Sequence, residues 1–157
     1  VSKIDFATTL GGDLGISQES NSEENSGPEL AIGEKADYEN AKNALLDERF
    51  EDSLMLFDRF LENYPDSPLS ASVVIAKGNA YEGLGEIKKA ARAYLNSFSL
   101  FEDSPVAPEA LTLLGNALVS LGQTDAGCQT LAQVLMRFPD SDFSLEAEKM
   151  MSELQCP

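Results

Sequence analysis

The tetrad YPDS at residues 64–67 recurs as FEDS at 101–104 and as FPDS at 138–141, a spacing of 37 residues. Two shorter segments repeat at the same spacing, GNA at 78–80 and 115–117 and LG at 84–85 and 121–122. A fixed period of this length is typical of a supersecondary unit that is too small to bury its own apolar face and becomes stable when copies stack. The chain is therefore predicted to be a repeat protein, and its function should be sought on a surface.

Each repeat has the pattern of two helices. In the second repeat, residues at spacings of three and four fall on one face of each helix: Val74, Gly78 and Tyr81, then Ala90, Tyr94 and Phe98. Gly85 is suited to close the first helix, because glycine tolerates the left-handed conformation. Pro108 falls in the first turn of the next helix, where its missing N–H costs nothing. The Asp-Ser pair that ends each tetrad is expected to cap the helix that follows.

Small and large residues alternate between the helices as they do in the tetratricopeptide pattern. The small positions are Ala41, Gly78 and Gly115 in the first helices and Ser53, Ala90 and Gly127 in the second. The facing large positions are Phe57, Tyr94 and Leu131 at one level and Phe60 and Val134 at another. The predicted fold is an all-α tetratricopeptide-repeat solenoid with a concave surface lined by the first helices. Its predicted parts are repeats at 34–70, 71–107 and 108–142 and a capping helix at 143–155.

Composition divides the chain into two parts. Residues 1–33 are rich in Gly, Ser, Glu and Asn and are predicted to be a flexible acidic linker, whereas residues 34–157 carry the apolar periodicity of one folded domain. The net charge of −16 argues against binding to nucleic acid or to anionic membranes, which needs clustered Lys and Arg. Only the middle repeat is neutral. The acidic outer repeats either keep the protein soluble or attract a basic partner segment.

No run of 18 apolar residues is present, so no membrane span is predicted. The chain begins with Val1 and not with Met, and we expect a processed or truncated form whose export signal has been removed.

The residue types needed for most catalytic chemistry are missing. The chain has no His, the commonest general base and zinc ligand, and no glycine-rich phosphate loop. We therefore expect no enzymatic activity, no metal and no cofactor.

The two cysteines allow two interpretations. Cys128 falls near the start of a second helix and Cys156 just after the capping helix, so antiparallel packing would bring them together. In a reducing compartment they would be a small buried side chain and an incidental thiol, whereas in an exported protein they would form a disulfide. We expect the disulfide.

The candidate binding surface consists of first-helix residues that face the concave side. They are Lys35, Tyr38, Lys42 and Leu45; Ser72, Ile75, Asn79 and Glu82; and Glu109, Thr112, Asn116 and Val119. Asn79 and Asn116 occupy the same repeat position, where an amide can pair with an extended peptide or can simply be solvated. A separate basic cluster, Lys88, Lys89 and Arg92, is either a contact patch or an ordinary exposed face.

The junction YPDSP at 64–68 and the segment LGQTDAGC at 121–128 carry a family resemblance. Residues 36–157 resemble the C-terminal tetratricopeptide domain of the YbgF family, also called CpoB, of the Tol-Pal system. The resemblance implies a periplasmic protein that binds TolA and a bifunctional penicillin-binding protein and coordinates outer-membrane constriction with septal peptidoglycan synthesis. Members form trimers through an N-terminal coiled coil, but residues 1–33 show no heptads, so homo-oligomers are expected only where such a coiled coil is present.

Two other functions remain open. A tetratricopeptide scaffold in outer-membrane protein assembly has the same repeat pattern. A hydrolase of cell-wall material is the enzymatic alternative, and the missing His argues against it.

Overall fold

A computed structural model describes residues 31–157, so the linker predicted for residues 1–33 lies outside the described residues except for its last three. Seven helices follow one another in this part of the chain, and it contains no strand. They are α1 Glu34–Leu46, α2 Phe50–Asn63, α3 Ser70–Gly83, α4 Ile87–Leu100, α5 Ala107–Ser120, α6 Thr124–Arg137 and α7 Asp142–Glu153. None of these seven helices has the length and apolar character needed to cross a bilayer.

The helices stack in chain order. Each helix packs against the next, and α1 also contacts α3 while α5 contacts α7. The first six helices therefore form three hairpins, and α7 covers the end of the stack. This arrangement confirms the predicted all-α solenoid of three helical repeats with a capping helix.

The turn inside each hairpin needs a left-handed residue. Gly85 and Gly122 take this conformation at φ 78° and 83°, as the LG repeats predict. In the first hairpin the same position holds Glu48, at φ 60°. A side chain with a Cβ is strained there, because left-handed backbone brings the Cβ close to the following carbonyl.

The tetrad serines make one kind of hydrogen bond but do not all cap a helix. Ser141 is the N-cap of α7, and its Oγ accepts from the N–H two residues ahead at 3.1 Å. Ser67 and Ser104 accept the equivalent bonds at 3.0 and 3.2 Å. In these two repeats, however, a short turn precedes the α-helix. The N–H three residues ahead donates to the serine carbonyl and closes this turn, so the two serines cap the turn and not the helix. The N-cap prediction is right for α7 and wrong for α3 and α5.

Glycine allows the two helices of a hairpin to approach closely. A Cβ on Gly78 would lie 2.3 Å from the ring of Tyr94, and one on Gly115 would lie 2.8 Å from Leu131. Tyr94 and Leu131 are fully buried, as is Phe57 opposite Ala41 in the first hairpin. The predicted alternation of small and large residues is thus what closes the core.

A disulfide joins Cys128 of α6 to Cys156 after α7, with Cα atoms 5.6 Å apart. It closes a loop that spans the junction and all of α7, with a sequence separation of 28. The covalent link holds the end of the last helix against the third hairpin, and the predicted pairing of the two cysteines is confirmed.

Candidate functional site

The first helices line an open groove of about 200 Å³. Its lining residues are Tyr38, Lys42 and Leu45 from α1, Ser72, Ile75, Ala76 and Asn79 from α3, and Glu109 from α5. Seven of these eight were predicted from the sequence to face the concave side. The eighth, Ala76, is adjacent to Ile75 and was missed because the predicted stripe took only every third or fourth residue.

Tyr38 forms the aromatic wall of the groove. It is half-buried, and its ring packs against Phe60 with centroids 6.0 Å apart. The Lys42 ammonium lies 5.1 Å from the centre of the same ring, a cation–π contact. Burial raises the pKa of Tyr38, the Glu39 and Glu109 carboxylates raise it further, and the Ser72 hydroxyl acts in the opposite direction. The pKa of Tyr38 therefore reports that charge from α5 reaches across the groove to α1.

Glu109 is the acidic group of the groove. It is half-buried and forms no ion pair with any residue between 31 and 157. Burial raises the pKa of its carboxyl, and the Glu146 carboxylate of α7 raises it further. Lys42 lines the groove but does not pair with Glu109, and a further cation close to this carboxylate would offset both effects, because it would stabilise the ionised form.

Asn79 and Asn116 have different surroundings although they share a repeat position. The Tyr94 hydroxyl lies 2.8 Å from Asn79 Oδ1 and 2.7 Å from Glu82 Oε2. Asn116 is exposed and has no such bond, because Leu131 stands where Tyr94 stands one repeat earlier. Only Asn79 is therefore held in place as part of the groove.

Tyr94 supports the groove through Asn79, a polar role that the sequence did not reveal. Burial raises its pKa well above the ordinary range, and the hydrogen bond to the Glu82 carboxylate adds to this rise. The neutral phenol thus remains a donor that fixes the side chains of α3. The available signal was that Tyr94, a residue with a polar hydroxyl, occupies a large position at which the other repeats have Phe57 and Leu131.

The remaining predicted residues do not line the groove. Thr112 is only 2% exposed, and its hydroxyl donates to the Pro108 carbonyl at 2.8 Å. Val119 packs against Gly127, the small residue of α6. A Cβ on Gly127 would lie 2.5 Å from Val119 Cγ2. The Glu82 carboxylate accepts a hydrogen bond from the Tyr94 hydroxyl, while Lys35 and Asn116 are exposed. The third repeat therefore contributes Glu109 alone to the lining.

Residues 31–157 contain no group of three His, Cys, Asp or Glu side chains arranged to hold a metal ion. The groove thus combines an aromatic ring, a lysine ammonium, polar side chains and one carboxylate on three helices. These groups can hold a polypeptide by side-chain packing, hydrogen bonds and charge.

A tetratricopeptide repeat family model matches residues 109–141, which span α5, α6 and the third tetrad. A search of curated proteins finds no match to the chain. The fold and the matched repeat place the chain in the class of tetratricopeptide-type solenoids, whose extended concave surfaces typically serve as scaffolds for protein–protein interaction.

Proposed function

We propose that this protein is a non-enzymatic periplasmic scaffold of the Tol-Pal system. It binds a segment of TolA in the groove of its first helices and thereby helps to coordinate outer-membrane constriction with septal peptidoglycan synthesis. A bifunctional penicillin-binding protein is the second partner that the family resemblance implies. The observation that carries the proposal is the open groove, which three separate helices line with side chains suited to a polypeptide.

The groove favours a segment that carries Lys or Arg. Glu109 lacks a cation partner in the described residues, and the Tyr38 ring lies on the opposite wall. A basic side chain in the groove would pair with the Glu109 carboxylate, whereas the Tyr38 ring already holds the Lys42 ammonium. The net charge of −16 would also draw a basic segment toward the protein.

Two observations support the periplasm and the Tol-Pal assignment. The Cys128–Cys156 disulfide is the kind of bond that persists in oxidising compartments. The YPDSP junction and the LGQTDAGC segment are the residues that resemble the YbgF family. The compartment and the partner are both open to direct test.

Calorimetric titration of purified TolA fragments into the protein tests the groove. We expect binding that Glu109→Gln and Tyr38→Ala weaken, each by about fivefold or more. Glu148→Gln is the matched control, since it removes the same charge from an exposed position on α7 outside the groove. Absence of heat up to about 1 mM TolA fragment would contradict the proposal, and so would equal weakening by the control.

A digestion assay tests the non-enzymatic part of the proposal. Incubation of the protein with purified peptidoglycan should release no more soluble fragments than buffer alone. Release that depends on protein concentration would identify a hydrolase instead.

A further inference from the structure

A second cleft lies between α3 and α4 and is larger than the groove, at about 290 Å³. Its lining residues are Val74, Lys77, Tyr81, Lys89, Arg92, Ala93 and Asn96. None of them lines the groove, so the two sites use different surfaces of the middle repeat.

The cleft concentrates positive charge in an acidic protein. Three of the chain's 11 Lys and Arg residues line it, although the net charge is −16. Lys77 Nζ lies 2.6 Å from a carboxylate oxygen of Asp58, and Lys89 Nζ lies 2.9 Å from one of Glu86. The exposed Arg92 has no ion-pair partner in the described part of the chain. Its guanidinium is therefore free to bind an incoming anion.

The fold itself does not require these cations. One repeat later, the positions of Lys77, Lys89 and Arg92 are occupied by Leu114, Ala126 and Gln129. The third hairpin packs with those uncharged residues, and Leu114 is buried. The three cations are thus a property of the middle repeat and not of the repeat architecture.

We propose that this cleft binds an acidic peptide segment of a partner protein. One carboxylate of the peptide can pair with the free Arg92 guanidinium, and neighbouring carboxylates can share Lys77 and Lys89 with their present partners. Val74 and Ala93 provide apolar contact. Asp58 and Glu86 already hold the two lysines, which shows that both ammonium groups pair with side-chain carboxylates in this fold. The net charge of −16 disfavours a long polyanion such as nucleic acid more than a short acidic segment, because the repulsion grows with the number of charges brought near the protein.

The consequence is a scaffold with two sites of opposite preference. The groove presents an unpaired carboxylate and the cleft an unpaired guanidinium, and the two share no lining residue. A basic segment of one partner and an acidic segment of another can then bind at the same time. The cleft does not depend on the proposed function of the groove.

The test is an NMR titration of the isotope-labelled full chain with capped hexaglutamate at about 50 mM salt, where charge interactions are weakly screened. We expect saturable amide shifts centred on α3 and α4 with a Kd of about 1 mM or tighter. Arg92→Glu should weaken binding by about tenfold or more, because it places a like charge in the cleft. Capped hexaglutamine should cause no shifts.

Lys88→Glu is the matched control. Lys88 is an exposed cation beside Lys89 that does not line the cleft, so the same change in net charge there should weaken binding by less than about threefold. Circular dichroism checks that both variants keep the helical fold. Equal weakening by both variants, or no shifts at about 5 mM peptide, would overturn the proposal. Inorganic phosphate that competes as tightly as the peptide would overturn the peptide assignment.

Discussion

Glu48 is the residue at which the first hairpin departs from the other two. It occupies the left-handed turn position that Gly85 and Gly122 hold in the later repeats. A non-glycine residue in this conformation costs about 1–2 kcal/mol relative to glycine. Glu48 is exposed, so burial of its side chain does not offset that strain.

Glu48→Gly should raise the free energy of unfolding by about 0.5–1 kcal/mol. The relief of backbone strain exceeds the entropy that glycine adds to the unfolded chain. Urea denaturation measures this: the midpoint should rise while the slope of the unfolding free energy against urea concentration stays unchanged. Gly85→Ala is the opposite control and should lower stability by about 1 kcal/mol through backbone strain, because no atom lies within 4 Å of its new Cβ. A less stable Glu48→Gly protein would contradict this account.

Glu109 links stability to pH. Its pKa is raised above the reference value of 4.5, first by burial and then by Glu146. The folded state therefore binds this proton more tightly than the unfolded state does. The resulting stabilisation is complete below pH 4.5 and is lost as the pH rises through the folded-state pKa.

Glu109→Gln should therefore have a more favourable effect on the free energy of unfolding at pH 7 than at pH 4, with a difference of up to about 0.5 kcal/mol. Urea denaturation of both proteins at the two pH values measures the difference. Glu148→Gln, at an exposed position on α7, is the control and should show a smaller pH dependence. A Glu109→Gln effect that is equal at both pH values would contradict the assigned cause.

At the scale of the helices, the repeat period carries most of the structural information. Aligned copies indicate where each helix begins, which face is apolar and where small residues oppose large ones, so the all-α solenoid and most of the groove lining could be predicted. The contacts of individual side chains between helices could not. The bond from Tyr94 to Asn79 joins side chains on two helices, and Thr112 is buried in α5, the helix against which α7 packs.

The disulfide should be the main constraint on α7. Cross-linking a loop with a sequence separation of 28 stabilises the folded state by about 3–4 kcal/mol if chain entropy dominates. Reduction should lower the urea midpoint accordingly, and the oxidised protein should take up no maleimide in denaturant. Because the chain has two cysteines, Cys128→Ala/Cys156→Ala is the control and should not respond to reductant. Two labelled thiols without reductant would contradict the prediction.

At the scale of the whole folded unit, Ile32–Pro157, the core has two clusters that meet at α3. The larger cluster extends from α3 to α7, and the smaller one joins α1, α2 and α3 through Phe57 and Phe60. From α1, Ala41 and Ala44 are the buried apolar residues. The first helix is therefore an end of the stack with little apolar burial, whereas the other end is covalently held.

Hydrogen exchange should report this asymmetry. Amides in the middle of α1 should exchange at least about tenfold faster than those of α5 and α6, since α1 lies at the end of the stack and belongs to the smaller core cluster. In the oxidised protein α7 should exchange more slowly than α1, and reduction should raise the exchange rate of α7 while leaving α1 unchanged. Mass spectrometry of peptic fragments measures both comparisons. Equal exchange in all helices would show that the stack opens as one cooperative unit, and equal acceleration of α1 and α7 on reduction would show that the disulfide acts on the whole fold and not on its own end.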